Sequence, residues 1–209
     1  MLGHGKYVDG TPKSHLRGIV HLTMFITYLH MMPIVDCGMV LYTWGKMVSY
    51  MASVALHCYP YNTTSSFKNM MIIDYCMISI SITTSGITFM PSNWIRWYPS
   101  VMAIMTLASI MLAVSGNPLV MDMKNLMRAS VLVLQSMLAG LSIGQADGWT
   151  CRSWMMISLY SLGYLFYGMK LTSRKPLLHH GKKWGYHEDF HIMTVIADVI
   201  PLMMVKPPG

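Results

Sequence analysis

Seven apolar stretches follow one another along the chain, each close to the ~20 residues that a membrane-spanning helix requires. They are 16–36, 38–60, 69–90, 99–115, 126–146, 151–170 and 186–205. Short segments of turn-forming residues separate them, for example Asp36-Cys37-Gly38 and Gly116-Asn117-Pro118. Because a backbone in lipid must satisfy its own hydrogen bonds, stretches of this length favour helices. The pattern predicts an all-α fold, a bundle of seven transmembrane helices.

The composition agrees with a membrane protein and argues against a soluble domain. Apolar residues make up 54% of the 209 residues and charged residues only 11%, against roughly 25% charged residues in soluble domains. A soluble protein of this length could not cover its surface with so few charges. We therefore expect one membrane domain over 16–205, preceded by a short polar segment (1–15) and followed by a short tail (206–209).

The distribution of Lys and Arg sets the predicted orientation. In a seven-span chain, eleven of these residues fall on the side of the N-terminus and three on the opposite side, with Lys46 left out because it lies inside the second stretch. The eleven are Lys6, Lys13, Arg17, Lys68, Lys124, Arg128, Lys170, Arg174, Lys175, Lys182 and Lys183, and the three are Arg96, Arg152 and Lys206. Because positive residues accumulate on the inner side, we expect the N-terminus in the cytoplasm, or in the matrix if the membrane is mitochondrial.

The same asymmetry accounts for the formal net charge of +7. The basic residues lie in short loops, where they can contact anionic lipid headgroups. No basic stripe with interleaved aromatic residues occurs, so we expect membrane lipids and not nucleic acid as partners. Other membrane protein subunits are the alternative class of partner.

Metal-binding side chains occur in three separate fragments that this topology brings to the inner end of the bundle. His187 and His191 are four residues apart and share one helix face, so that both imidazoles can reach one cation. His57 lies near the end of the second stretch, and Asp74 near the beginning of the third. Ionisable residues at membrane depth are costly and mark functional sites. The sequence therefore predicts a Zn²⁺ site with His57, His187 and His191 as ligands.

Two further residues are predicted to act beside the metal. Three His ligands leave one position of a tetrahedral zinc for water, whose pKa zinc lowers towards ~7. We expect Asp74 to orient this water and to accept its proton. Ser53, one helical turn before His57, is expected to hold the water, Asp74 or a reacting oxygen by a hydrogen bond. His21 and His30 lie within the first stretch and are weaker candidates.

The order of these fragments resembles that of the hemolysin III family, which belongs with the progestin and adipoQ receptors. The resemblance is carried by Ser53-Val54-Ala55-Leu56-His57, by Ile72-Ile73-Asp74-Tyr75 with Thr83-Thr84-Ser85-Gly86, by Gly185-Tyr186-His187-Glu188-Asp189-Phe190-His191, and by Ser14-His15-Leu16-Arg17-Gly18. It implies a seven-helix bundle with zinc near the inner leaflet, held by His57, His187 and His191, with Asp74 and Ser53 close by. It also implies a metal-dependent amide hydrolase acting on ceramide-like lipids, or a receptor. Tyr75 departs from the His that often follows this Asp in the family.

Two other functions fit parts of the same pattern. His187 to His191 also reads as HExxH, in which Glu188 would be the general base of an intramembrane metalloprotease. That interpretation leaves Ser53, His57 and Asp74 without a role. Alternatively, the His and Asp residues can lock helices together in a non-catalytic subunit of a larger membrane assembly, such as a mitochondrial one, or in a receptor-like protein.

Overall fold

The computed structural model describes residues 15–118, 123–172 and 186–204, without the side chains of 15–17, 166–172, 186–188 and 204. Within these ranges the chain forms seven α-helices and no strand. The helices are α1 (His15–Met31), α2 (Val40–Cys58), α3 (Thr64–Thr88), α4 (Tyr98–Ser115), α5 (Met123–Ala146), α6 (Cys151–Thr172) and α7 (Tyr186–Val199). Short 3₁₀ helices precede α4 and follow α7 (Ser92–Trp94 and Ile200–Met204). The all-α prediction is confirmed, and one α-helix overlaps each predicted apolar stretch.

Local chemistry explains two helix ends that differ from the prediction by five residues each. α1 ends at Met31 and not near residue 36, because Pro33 has no amide hydrogen with which to continue the helix. α3 begins earlier than residue 69, because the Thr63 hydroxyl caps the helix by accepting a hydrogen bond from the Ser66 amide at 3.1 Å. Such caps depend on individual side chains, whereas the prediction rested on the extent of apolar sequence.

Three of the described helices, α3, α4 and α5, are long and apolar enough to cross a membrane, with mean hydropathies of 1.5, 1.7 and 1.6. Gly18–Met31 in α1 is a shorter apolar helix. The outer face of α4 is apolar: Ile104, Leu107, Met111 and Val114 are 59–67% exposed and recur at helical spacing. Such a face suits lipid and would be unfavourable in water, as expected of a membrane protein.

Consecutive helices from α1 to α5 pack side by side, α6 packs on α7, and α7 returns to contact α1. Glycines permit two of the close approaches. A Cβ at Gly45 on α2 would overlap the side chain of Thr84 on α3, and a Cβ at Gly86 on α3 would overlap Tyr98 on α4. Helices in a membrane associate largely through such close packing, because lipid supplies little hydrophobic drive.

A buried amide links α3, α4 and α5. The Gln135 Nε2 atom of α5 lies 3.0 Å from the Ser79 carbonyl oxygen, 2.6 Å from the Thr83 hydroxyl and 2.9 Å from the Thr106 hydroxyl. Its Oε1 accepts a hydrogen bond from the Ser79 hydroxyl at 2.9 Å. Both ends of the amide are therefore satisfied, as a polar group in an apolar environment requires.

Candidate metal centre

Three histidines from three helices meet at one end of the bundle. His57 lies in the last turn of α2, whereas His21 and His191 lie in the second turns of α1 and α7. One ring nitrogen of each lies within 4.8 Å of the others. The ring centroids are 4.3 Å apart for His21 and His191, 5.3 Å for His21 and His57, and 5.9 Å for His57 and His191. We refer to these three residues as the His cluster.

The His cluster has the chemistry and nearly the dimensions of a zinc site. Neutral imidazoles are common zinc ligands, and tetrahedral zinc with Zn–N bonds of ~2.0–2.1 Å separates its nitrogens by about 3.4 Å. The nitrogens of the cluster lie within 4.8 Å of one another, so small side-chain rotations close the difference. His21 and His57 are buried and His191 is half-buried, which limits competition from bulk water. The residues present therefore fit a metal ion.

Two of the three predicted ligands, His57 and His191, belong to the cluster. His187 lies in the first turn of α7, one turn before His191, but its side chain is outside the described part of the chain, so its role stays a prediction. His21 was ranked among the weaker candidates, although it contacts both other rings. A single His has no second His at helical spacing to mark it as a ligand. However, His21 is about as many residues from the start of α1 as His191 is from the start of α7, and this equal depth could have indicated His21 as a ligand.

His30, the other candidate in the first stretch, lies elsewhere. It is exposed in the last turn of α1, and its Nδ1 lies 2.8 Å from the Ile26 carbonyl oxygen. The antiparallel course of α1 relative to α2 places this residue at the end of the bundle opposite to His57. His30 therefore serves as a comparison residue in the experiments below.

The predicted catalytic residues contact each other directly. The Ser53 hydroxyl donates a hydrogen bond to Asp74 Oδ1 at 2.5 Å, and both residues are 6% exposed. Ser53 precedes His57 by one turn of α2, so this contact joins α2 to α3 beside the His cluster. A carboxylate held in this way by a hydroxyl can accept a proton. Its participation in a reaction stays a prediction.

A second polar cluster lies further along the same helices and was missed by sequence reasoning. Lys46 Nζ donates to Asp198 Oδ1 at 2.6 Å, and the Tyr50 hydroxyl donates to Oδ2 at 2.6 Å. The Tyr160 hydroxyl of α6 also bonds to Oδ1. Lys46 lies inside the second predicted span and so does not contribute to the charge asymmetry between the two sides. An ionisable residue at that depth is itself the signal that a partner exists.

The backbone carbonyl group of Asp198 is hydrogen-bonded as well as its side chain. Its carbonyl oxygen accepts hydrogen bonds from the Tyr28 hydroxyl at 2.7 Å and from the Tyr42 hydroxyl. α7 ends at Val199, and the last carbonyls of a helix have no intrahelical partner. The tyrosines supply those partners in an apolar environment, where an unsatisfied carbonyl is expensive. We refer to this set as the Asp198 lock: Tyr28, Tyr42, Lys46, Tyr50, Tyr160 and Asp198.

One face of α2 connects the two clusters. Lys46, Tyr50, Ser53 and His57 are separated by four, three and four residues, which places them on the same side of the helix. The ring of Tyr50 also packs near that of His21, with centroids 5.7 Å apart. The candidate site therefore continues into a polar column that reaches the Asp198 lock.

The family to which this chain is similar agrees with the pattern of its site residues. A search of curated proteins finds no match. The model of one protein family, described as haemolysin-III related, matches residues 13–201, which include every described α-helix. The match confirms the resemblance drawn from the Ser53–His57, Asp74 and His187–His191 fragments, and the chain belongs to the haemolysin-III related family.

Proposed function

We propose that this protein spans the membrane seven times, binds one zinc ion at the end of the bundle where His57 and His191 meet, and hydrolyses the amide bond of a ceramide-like membrane lipid. The observation that carries the proposal is the convergence of His57 and His191 with the hydrogen-bonded pair Ser53 and Asp74. Membership of the haemolysin-III related family supports a membrane protein with this residue pattern.

The seven-span topology is supported by three observations. Seven helices occupy the predicted apolar stretches, α4 carries an exposed apolar face, and Lys and Arg are divided eleven to three between the two sides. The proposal places the N-terminus on the inner side of the plasma membrane, an endomembrane or the mitochondrial inner membrane. A reporter fused after Gly209 should then face the exterior or the intermembrane space. A reporter signal from the cytoplasm or matrix would overturn the topology.

The proposed zinc ligands are His57, His187 and His191. Zinc bound there supplies an acidified water and a Lewis acid for the lipid carbonyl. Asp74 takes a proton from the attacking water and returns it to the departing nitrogen, so that the amide C–N bond breaks and a fatty acid and an amine leave. Ser53 holds Asp74 Oδ1 in one orientation during this transfer. The lipid reaches the site laterally between helices.

Whether His21 binds the zinc distinguishes a hydrolase from a structural protein. Catalytic zinc sites have three protein ligands and one open position, whereas structural sites are closed by four. Because His21 packs against both His57 and His191, a fourth imidazole is available to close the site. A closed site favours the alternative function, a metal-stabilised subunit of a membrane assembly. X-ray absorption spectroscopy of the zinc protein counts the imidazoles, and we expect three for the wild type.

Metal analysis and turnover together test the hydrolase. Purified wild type should contain about one zinc per chain, which His191→Ala loses and His30→Ala keeps. Asp74→Asn should keep the zinc and lose roughly 10²–10⁴-fold of turnover on a long-chain amide, the range expected for a general base. A wild type with four imidazoles on zinc and no turnover would exclude the enzyme. The protease alternative predicts instead that Glu188→Gln abolishes peptide cleavage with zinc retained.

A further inference from the structure

A buried cation near the beginning of α5 has no counter-ion among the described residues. Arg128 lies five residues after the start of α5 and is 8% exposed. Its Nε and Nη1 atoms are buried and have no hydrogen-bond acceptor in the part of the chain that the structure describes. Its guanidinium carbon lies 3.6 Å from the ring centroid of Tyr75 on α3. The ring therefore holds the guanidinium in place, but it offers no acceptor in the plane of the N–H groups.

Stacking on Tyr75 does not compensate for the burial of this charge. A cation–π contact recovers only part of the free energy that an unpaired ion loses when it is taken out of water, even after the protein relaxes. A buried Lys could lose its proton, but a guanidinium stays protonated in proteins. Arg128 therefore requires an anion that is not among the described side chains.

The location and geometry of Arg128 indicate the class of anion. The guanidinium presents N–H donors in a planar fork, which matches the oxygens of a phosphate group. Arg128 lies about 8 Å along the axis from the start of α5, within the reach of a long side chain from the headgroup layer. Lys124, one turn earlier, adds positive charge at the same end, although its Nζ is bound to the Ser115 carbonyl oxygen at 2.9 Å.

We propose that Arg128, held by Tyr75, binds a phosphate group at this end of the bundle, supplied by the headgroup of an anionic glycerophospholipid or by free phosphate. The site requires neither zinc nor hydrolysis, and it lies on a different face of α3 from the contact between Asp74 and α2, since Tyr75 meets α5. A bound phosphate group would neutralise the guanidinium and accept hydrogen bonds from its buried N–H groups.

Native mass spectrometry of the full chain in phosphate-free detergent tests the proposal. The probes are phosphatidic acid, diacylglycerol with the same acyl chains, and inorganic phosphate. Wild type should bind one phosphatidic acid at least tenfold more tightly than diacylglycerol, and Arg128→Gln should reduce that preference to within threefold. Lys124→Gln, the exposed cation on the same helix, should keep it. Arg128-dependent binding of inorganic phosphate at equal affinity identifies free phosphate as the source.

Two further variants make the outcome decisive. In phosphate-free detergent, Arg128→Met should melt at the same temperature as wild type or higher, because it removes an unpaired buried charge. A marked fall in melting temperature would mean that the protein already satisfies Arg128, which overturns the proposal. Asp122 lies outside the described residues and is the nearest acidic residue in the sequence. Tighter lipid binding by Asp122→Asn would identify it as the counter-ion and equally overturn the proposal, as would unchanged lipid preference in Arg128→Gln.

Discussion

Replacing Asp198 by Asn should destabilise this protein more than any other isosteric change near the candidate site. The Lys46 and Asp198 side chains are each 8% exposed and their charged atoms are 2.6 Å apart. Asn keeps the shape and an acceptor oxygen but leaves the Lys46 ammonium without a counter-ion. Breaking a buried ion pair from one side costs about 3–5 kcal/mol, because the remaining charge stays desolvated. We expect a loss of that size in the free energy of unfolding.

Removal of Lys46, the other member of the ion pair, should lower the free energy of unfolding by less. In Lys46→Met the Asp198 carboxylate keeps the hydroxyl donors of Tyr50 and Tyr160. Hydrogen bonds to a charged group contribute about 1.5–3 kcal/mol each, so much of the carboxylate's stabilisation survives. We expect a loss nearer 2–3 kcal/mol. The double variant removes both charges and should cost no more than about 1–2 kcal/mol, because an ion pair replaced as a whole is often nearly neutral.

Thermal unfolding in detergent micelles measures the four states of this double-mutant cycle. For a chain of this size a loss of 3 kcal/mol corresponds to a fall of at least ~6 °C in melting temperature. The exposed control Lys124→Met should change stability by less than about 0.5 kcal/mol. If the double variant instead loses as much stability as the two single variants together, the interaction energy between the two charges is close to zero. That result would refute a stabilising ion pair.

Three further outcomes follow from other parts of the structure. Gln135→Leu should cost about 1–3 kcal/mol in unfolding free energy, because it strands buried hydroxyls on α3 and α4; chemical unfolding in mixed micelles measures it, and a stabilised variant would contradict it. Gly45→Val should cost a similar amount through overlap with Thr84, whereas a melting temperature within 1–2 °C of wild type would show that α2 and α3 separate freely. Zinc affinity should decrease below about pH 6, because protons compete with the metal for the imidazoles; competition with a chelator at pH 5, 6 and 7.5 measures it, and a pH-independent affinity would exclude His ligands.

The helices could be predicted from sequence because their cause is local. A run of about 20 apolar residues needs only its own backbone hydrogen bonds to be stable in lipid. The end of α1 at Met31 and the beginning of α3 before residue 69 were not predicted, because Pro33 and Thr63 act locally as single residues, whose effect a hydropathy window averages out.

The site was predictable where spacing and topology carried the information. The proximity of His57 and His191 could be predicted, because the distribution of Lys and Arg assigns the end of α2 and the beginning of α7 to the same side of the membrane. His21 was undervalued because a single His has no partner at a helical spacing. The ion pair of Lys46 with Asp198 joins residues 152 positions apart, and no local pattern encodes such a contact. A search for opposite charges at equal depth in different spans would have found it.

A repeated interval of seven residues relates the His cluster to the Asp198 lock. On each of three helices a clustered His and a residue of the lock are seven positions apart: His21 and Tyr28 on α1, Tyr50 and His57 on α2, His191 and Asp198 on α7. Seven residues are nearly two helical turns, so both members of each pair lie on one face and about 10 Å apart. The Asp198 lock therefore fixes the rotation and the axial position of α1, α2 and α7, the three helices that carry the histidines.

This geometry predicts that Asp198→Asn weakens zinc binding although it changes no ligand. A slip of α7 by one residue moves His191 by about 1.5 Å and rotates it by about 100°, enough to take its nitrogen out of reach of the other two. Gln135→Leu is the matched control, since it removes a comparable buried network that joins α3, α4 and α5 but none of the helices bearing the cluster. At a temperature where both variants stay folded, Asp198→Asn should release zinc to a chelator at least tenfold faster than wild type. Equal release from the two variants would mean that general loosening of the bundle, and not the register of α7, governs the metal site.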